Sequence, residues 1–162
     1  MNKMDEKILV VDRGFLFENE ETAFQGVKTG DGFILQTMHK LSKFFEVRRG
    51  DAENNPEWKQ PISYVVVKRG DSVFLYERLK AGGESRLHNS ISIGVGGHMN
   101  MVNGGNNWFN IMMHNINKEL NEELDIKCPF CPTPEIIGII NDDINEVGKV
   151  HIGILAVLEL PE

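Results

Sequence analysis

The amino-acid sequence predicts an α+β fold, and three observations support this prediction. Several short runs of β-forming residues are separated by polar, glycine-containing turns. Two longer segments, near residues 32–45 and 107–124, repeat apolar residues at helical spacing. The chain has 162 residues, of which 41% are hydrophobic and 25% charged, and this is enough to bury a sizeable core. We therefore expect a globular protein that combines both kinds of element.

The first 60 residues predict a strand, a helix and a connector. The strand covers residues 8–11, and the helix covers about 32–45. The apolar face of this helix is more typical of a core or a subunit interface than of a cofactor site; its residues are Phe33, Ile34, Leu35, Met38, Leu41, Phe44 and Phe45. Residues 46–60 are polar and rich in turn-forming residues. We therefore predict an N-terminal extension at residues 1–60, packed on a main domain at residues 61–162.

The main domain is predicted to contain strands around one long helix. The strands are expected at residues 62–68, 73–79, 91–95, 136–140 and 149–160. The helix is expected at about 107–124, and the apolar face that should pack on the sheet consists of Trp108, Phe109, Met112, Met113, Ile116, Leu120 and Leu124. The opposite side of this helix therefore carries most of its acidic residues.

Three of these acidic residues form the clearest chemical signal in the sequence. Glu119, Glu122 and Glu123 fall on one arc of the helix, because residues three and four apart are neighbours there. Like charges at this spacing repel, and a bound Mg²⁺ or Mn²⁺ would relieve the repulsion, since hard cations prefer oxygen ligands. The arc therefore predicts a divalent-metal site, and a solvated acidic face is the alternative interpretation.

The residues before this helix connect it with a known family. A β-type run at residues 91–98, Ile-Ser-Ile-Gly-Val-Gly-Gly-His, ends in glycines and leads through a polar loop into the acidic helix. Together they resemble the Nudix hydrolase family, whose box reads G-x5-E-x7-R-E-U-x-E-E-x-G-U, with U an aliphatic residue. The matching residues are Gly104, Glu119, Leu120, Glu122, Glu123 and Ile126. Gly97 is an alternative to Gly104 as the first glycine, in which case the loop carries an insertion.

Three positions depart from the box. Asn110 stands where the family has a glutamate that supports the metal site. Lys118 keeps the charge of the usual arginine without its planar, bidentate geometry. Asp125 replaces the glycine that ends the helix. Because all three helix carboxylates are kept, the departures leave a metal-dependent activity as the expectation.

The resemblance implies an architecture for the whole chain. Residues 61–97 and 141–151 are similar to a Nudix-related group of predicted phosphoesterases. We therefore expect an α/β/α sandwich with a mixed β-sheet, preceded by the extension with its helix. The helix that the family usually carries after the last strand is not expected here. The N-terminal helix or a second protomer would then cover that face, and the second case predicts a homodimer.

The resemblance also implies a reaction and a set of site residues. The expected enzyme hydrolyses a phosphoanhydride or phosphate ester in a nucleoside-diphosphate-linked or similar small molecule. Glu119, Glu122 and Glu123 would hold Mg²⁺ or Mn²⁺ beside Lys118, and one of these glutamates would act as general base unless Asp142, Asp143 or Glu146 does. The predicted substrate contacts are Arg78, Arg86, His88, Gly97 and His98, with surface charge as the alternative for the arginines. We assign His151 to packing.

Two other classes of function remain as hypotheses. The departures from the box are also consistent with a catalytically weak or inactive Nudix-fold module that binds a nucleotide or a partner. Cys128 and Cys131 form a C-x-x-C pair, which is half of a zinc site or a redox dithiol. We favour reduced thiols in a loop because prolines surround the pair, and a zinc-binding interaction protein is the weaker alternative.

Charge and hydropathy exclude several partners. The net charge of −7 argues against nucleic-acid polymers but not against a nucleotide bound through a metal. The longest apolar runs are too short to span a bilayer, and the N-terminus carries acidic residues where a signal peptide would be apolar. We therefore expect a cytoplasmic enzyme with a small-molecule phosphate substrate.

Overall fold

A computed structural model describes residues 2–77, 91–105, 107–124, 126 and 132–161. The strands are β1 (Lys7–Asp12), β2 (Gly26–Lys28), β3 (Phe45–Arg48), β4 (Trp58–Arg69), β5 (Ser72–Val73), β6 (Tyr76–Glu77), β7 (Ile91–Ser92), β8 (Gly94–Val95), β9 (Glu135–Asn141) and β10 (His151–Glu159). The α-helices are α1 (Arg13–Leu16), α2 (Asp31–Leu41), α3 (Arg49–Ala52), α4 (Trp108–Glu123) and α5 (Glu146–Val150). A 3₁₀ turn at Lys3–Asp5 precedes β1.

The main sheet is mixed, as predicted. Its strand order is β2-β9-β10-β4-β1-β3, and the short strands β5 and β8 also pair with β4. β4 and β10 run parallel from the pair Gln60 and His151 to the pair Lys68 and Glu159, whereas the other pairs are antiparallel. The parallel pairing places His151 at the start of β10 beside Gln60 near the start of β4, although these residues are 91 positions apart in sequence. The α+β fold class is confirmed.

Helix α4 packs on the sheet through the face that the sequence predicts. Its buried residues are Trp108, Ile111, Met112, Asn115, Ile116 and Leu120. Asn107 caps the first turn, where its side chain accepts hydrogen bonds from the backbone N–H groups of Phe109 and Asn110. Phe109 was predicted to face the core and is 57% exposed instead. Trp108 is buried at the start of the helix, and its indole N–H donates to the sulfur of Met38 at 3.3 Å.

Three predicted boundaries in the chain are wrong. The helix predicted to continue to residue 45 ends at Leu41, and Phe45 begins β3. Residues 46–60, predicted as a connector, contain most of β3, all of α3 and the start of β4. The last strand begins at His151, after the short helix α5. At β3 and β4, strand pairing with a distant segment overrides the local pattern. At residues 149 and 150, the helix capped by Asn145 replaces the predicted start of the strand.

The N-terminal residues join the sheet rather than only lying against it. β1 pairs with β3 on one side and with β4 on the other. Its residues Ile8–Val11 are fully buried, because both faces of the strand are covered. Leu9 and Val11 belong to the main core, whereas Ile8 and Val10 form a second small cluster with Ala52 of α3. This cluster fixes α3 beside the sheet. The predicted domain boundary at residue 60 lies within β4 and stays a prediction.

None of the helices in the described part of the chain is long and apolar enough to cross a membrane.

Candidate active site

A cavity of about 410 Å³ opens between α4, the loop that follows β8, and the N-terminal residues. One wall is formed by Lys118, Glu119, Glu122 and Glu123 of α4. Another wall consists of Gly96, Gly97 and His98 in the loop after β8. The lining also includes Lys3 and Glu6 near the N-terminus, Arg49 of α3 and His151 at the start of β10. The cavity therefore brings together helix and loop residues that the sequence predicts as a site.

The α4 wall has the chemistry of a hard-cation site. The ammonium group of Lys118 lies 4.0 Å from the nearest carboxylate oxygens of Glu119 and Glu122. The side chain of Glu119 is 15% exposed, whereas that of Glu122 is 58% exposed. Burial raises the pKa of Glu119; Lys118 opposes this effect, and the neighbouring glutamates add to it. A divalent cation among these oxygens would stabilise the ionised carboxylates, so the residues present fit Mg²⁺ or Mn²⁺.

Two glycines allow the loop backbone to approach its neighbours closely, Gly97 at this wall and Gly96 at β4. A Cβ atom on Gly97 would lie 2.3 Å from the carboxyl carbon of Glu119. A Cβ atom on Gly96 would lie 1.7 Å from the backbone oxygen of Ser63 in β4. Gly104, the other candidate for the first glycine of the box, has a φ of 78°, and a Cβ atom there would meet no atom of the described residues within 4 Å. Gly97 is therefore the glycine whose backbone contacts the predicted metal ligand.

Substitution by alanine is expected to lower mainly the stability at Gly96 and mainly the turnover at Gly97. In Gly96→Ala the methyl group meets the backbone of the sheet, which cannot move away, and we expect the free energy of unfolding to fall by at least about 2 kcal/mol. In Gly97→Ala the methyl group meets a side chain that can rotate, so we expect a loss below about 1 kcal/mol. Turnover should nevertheless fall about 100-fold, because the carboxylate of Glu119 is displaced. Urea unfolding and an activity assay of both variants measure the contrast, and equal effects on stability would contradict it.

Hydrogen bonds hold the loop in this position. The side chain of the buried Asn115 on α4 accepts from the backbone N–H of Asn100 and donates to its carbonyl oxygen. The side-chain amide of Asn100 donates to Glu6 and to the carbonyl oxygen of Lys7. The backbone N–H of Leu9 donates to the carbonyl oxygen of Met99 at 2.8 Å. The loop is therefore tied both to α4 and to the N-terminal residues.

Arg49 is a site residue that the sequence analysis missed. It begins α3 and is 9% exposed. Its guanidinium group lies 3.6 Å from Glu6 and 3.3 Å from Glu53 and lines the cavity. A guanidinium group suits phosphate as well as carboxylate. The only sequence signal is the Arg48-Arg49 doublet, which is typical of a polar connector, so sequence alone does not distinguish the arginine that faces the cavity.

His98 and His151 meet at the cavity. Their Nε2 atoms are 3.1 Å apart, and Nε2 of His98 also lies 2.8 Å from the side-chain oxygen of Gln60 and 3.7 Å from a carboxylate oxygen of Glu53. Nδ1 of His151 lies 2.6 Å from the carbonyl oxygen of Val147. His151 is 6% exposed, in agreement with the packing prediction. Its ring also contacts His98 and lines the cavity, which the sequence analysis did not foresee.

Other predicted residues lie elsewhere. Arg78, Arg86, His88, Asp125, Cys128 and Cys131 are outside the described residues. Asp142, Asp143 and Glu146, the alternative general bases, are not among the residues that line the cavity. Asp143 accepts hydrogen bonds from Arg13 and Lys59 instead, and Glu146 pairs with Lys149 at 2.6 Å. Asn110, in the first turn of α4, is exposed and also lies outside the cavity lining.

Comparison with known proteins identifies the family. No protein-family model matches the chain. The chain is 51% identical over 161 residues to Protein YmaB of Bacillus subtilis, and the match covers 99% of this chain and 78% of that protein. Its fold is similar to the crystal structure of Tm1382, described as a candidate Nudix hydrolase. That match has a TM-score of 0.77 and 30% identity, and it covers 95% of this chain and 76% of the other. The chain therefore belongs to the Nudix hydrolase superfamily and shares a family with Protein YmaB.

Proposed function

We propose that this protein is a metal-dependent hydrolase that cleaves a phosphoanhydride or phosphate ester in a nucleoside-diphosphate-linked or similar small molecule. The observation that carries the proposal is the convergence of Glu119, Glu122 and Glu123 on one wall of the cavity, where the backbone of Gly97 lies against Glu119. Membership of the Nudix superfamily supports hydrolysis as the reaction class. The specific substrate and the metal requirement belong to the proposal.

The three glutamates would hold the cation. They offer carboxylate oxygens at the cavity surface, and the exposed Glu122 and Glu123 need no displacement of packed side chains to bind. A bound Mg²⁺ or Mn²⁺ activates water as a nucleophile and neutralises charge on phosphate oxygens. Lys118 limits the repulsion among the glutamates and stays within reach of the same oxygens. The three carboxylates would thus lie together at the position where phosphates would enter.

The cavity itself favours a small substrate. Its volume of about 410 Å³ falls within the range of about 300–1,000 Å³ that is typical of small-molecule sites. Arg49, Lys3 and Lys118 supply positive charge around it, although the chain as a whole carries a net charge of −7. The same lining holds Glu6 and the three α4 glutamates, so a phosphate group would be attracted through a bound divalent cation, whereas the net negative charge of the chain disfavours a long polyanion. We therefore expect a nucleotide derivative or a comparable diphosphate rather than a nucleic acid.

A binding module without turnover is the second candidate. It is favoured by Asn110, which removes a carboxylate from the box, and by Lys118, which lacks the bidentate geometry of arginine. The three helix carboxylates argue against it, because binding alone does not require such a cluster of like charge. For a nucleotide ligand, the two candidates differ in whether the ligand is cleaved.

The test is release of phosphate or pyrophosphate from a panel of nucleoside diphosphate and triphosphate derivatives. Each compound is assayed with Mg²⁺, with Mn²⁺ and with a chelator, and thermal shift is measured in parallel. Turnover that the chelator abolishes supports the hydrolase. Thermal stabilisation without turnover across the panel favours the binding module. Turnover that persists at full rate in chelator contradicts the role given to the carboxylates.

A further inference from the structure

Three side chains from separate parts of the fold meet beside the α4 carboxylates. Glu53 directly follows α3, His98 lies in the loop after β8, and His151 begins β10. One potential ligand atom from each lies within 4.8 Å of the other two. The side chain of Glu53 is 8% exposed and that of His98 is 15% exposed. Residues this distant in sequence are brought together by the β4–β10 pairing and by the packing of α3 on β1.

The two imidazoles are arranged like metal ligands. Two nitrogens bound to one tetrahedral Zn²⁺ at about 2.05 Å would be about 3.3 Å apart. The observed separation of 3.1 Å between the Nε2 atoms of His98 and His151 is close to that value. A direct hydrogen bond between two neutral rings also gives a short distance, so the separation alone does not identify a metal site. The groups around the rings provide the further evidence.

The first of these groups is the carbonyl oxygen of Val147. It lies 2.6 Å from Nδ1 of His151, so it accepts the proton of that nitrogen. In the neutral ring Nε2 then carries the lone pair, and this nitrogen lies 3.1 Å from Nε2 of His98 in a group of ligand atoms that also includes Glu53. A carbonyl oxygen on the far ring nitrogen is the usual outer support of a metal-bound histidine, because it fixes both the tautomer and the orientation of the ring.

The second group is the fully buried Gln60. Its oxygen lies 2.8 Å from Nε2 of His98, and its side-chain nitrogen has no hydrogen-bond partner among the described residues. Nε2 of His98 can carry one proton, yet it faces the oxygen of Gln60 and the lone pair of His151 at the same time. A cation among these atoms satisfies all the lone pairs together. The Gln60 oxygen is also positioned as a supplementary ligand.

We propose that Glu53, His98 and His151 form a binding site for a first-row transition-metal ion of the Zn²⁺ type, distinct from the site for a hard cation on α4. Two imidazoles and one carboxylate are a recurrent ligand set for Zn²⁺. Three protein ligands leave a coordination position for water or a substrate oxygen, and His98 and His151 line the cavity through which that ligand would enter. The proposal does not depend on turnover.

Metal binding to the full chain tests the site directly. The purified protein is stripped with chelator, supplied with excess Mg²⁺ to occupy the α4 carboxylates, and titrated with Co²⁺, whose visible absorption reports coordination by nitrogen and oxygen. One equivalent is expected to bind and to be displaced by Zn²⁺. We expect His151→Gln, His98→Gln and Glu53→Gln to weaken binding at least about 100-fold. His114→Gln, which changes an exposed histidine of α4, should bind as wild type does.

A second measurement uses only the wild-type protein, in case the buried variants do not fold. Nitrogen-detected NMR resolves the ring nitrogens of the five histidines, and Zn²⁺ should shift the Nε2 signals of two of them. Unshifted ring signals, or a Co²⁺ spectrum that all three variants retain, would overturn the proposal. Glu122→Gln should keep the Co²⁺ spectrum even where it loses turnover, so failure of this site and failure of the α4 site give different results.

Discussion

Replacing Glu122 with glutamine is expected to reduce metal-dependent turnover at least about 100-fold while leaving the free energy of unfolding within about 0.5 kcal/mol of wild type. The side chain of Glu122 is 58% exposed and lines the cavity, with Lys118 at 4.0 Å as its charged neighbour. Glutamine keeps the length and one oxygen of the side chain but removes the charge that holds a hard cation. The variant should therefore lose turnover but keep its free energy of unfolding.

The assay compares the rate of phosphate release with the midpoint of urea unfolding. Glu135→Gln is the matched control, because Glu135 is an exposed glutamate at the start of β9 and does not line the cavity. It should retain wild-type turnover. Raising the Mg²⁺ concentration should restore part of the activity of Glu122→Gln if the defect lies in metal affinity. Full activity of that variant at limiting Mg²⁺ would refute the assignment of the α4 carboxylates.

The largest expected effect on stability comes from Asp143→Asn, which should lower the free energy of unfolding by about 3 kcal/mol. Asp143 receives two hydrogen bonds from Arg13, both at 3.0 Å, and one from Lys59 at 2.7 Å. The side chain of Lys59 is fully buried, and its Nζ atom also donates to the carbonyl oxygens of Gly148 and His151. These three acceptors require three N–H donors, which Lys59 has only in its ammonium form. Removal of the Asp143 carboxylate therefore leaves the buried charge of Lys59 without its counter-ion.

The dependence on pH provides a second measurement of the same ion pair. Burial by itself would raise the pKa of Asp143, but hydrogen bonds from Arg13, Lys59 and Asn141 outweigh that effect and hold the pKa well below its usual range. A depressed folded-state pKa contributes stability above the unfolded value of about 4, and this contribution is lost as the pH falls towards the folded value. The difference between wild type and Asp143→Asn should therefore be largest near neutral pH and should narrow below about pH 4.

Glu146→Gln is the control for this experiment. The side chain of Glu146 is 79% exposed and pairs with Lys149 on the surface of α5, where such pairs contribute little. It should change the free energy of unfolding by less than about 0.5 kcal/mol at every pH. An Asp143→Asn variant as stable as this control would show that the buried lysine is not held by the carboxylate.

The sequence by itself determined the features that depend on neighbouring residues. Glu119, Glu122 and Glu123 share one wall because helix geometry brings positions three and four apart together, whatever the rest of the fold does. The start of α4 follows in the same way from Asn107, whose side chain caps the first turn. The glycines at 96 and 97 and the carboxylates were also sufficient to indicate the superfamily. These features depend on residues close together in sequence, so they can be predicted without knowing the tertiary fold.

Only the tertiary structure decided which distant residues complete the cavity. Arg49 and Glu53 lie in a polar segment that predicts a connector. The segment forms β3 and α3 instead, because β3 pairs with β1 and α3 packs against β1. His98 and His151 are 53 residues apart, and they meet because β10 lies parallel to β4 while the loop after β8 runs along the other edge of β4. Such contacts are stabilised by pairing between remote strands, and no periodicity within a single segment encodes them.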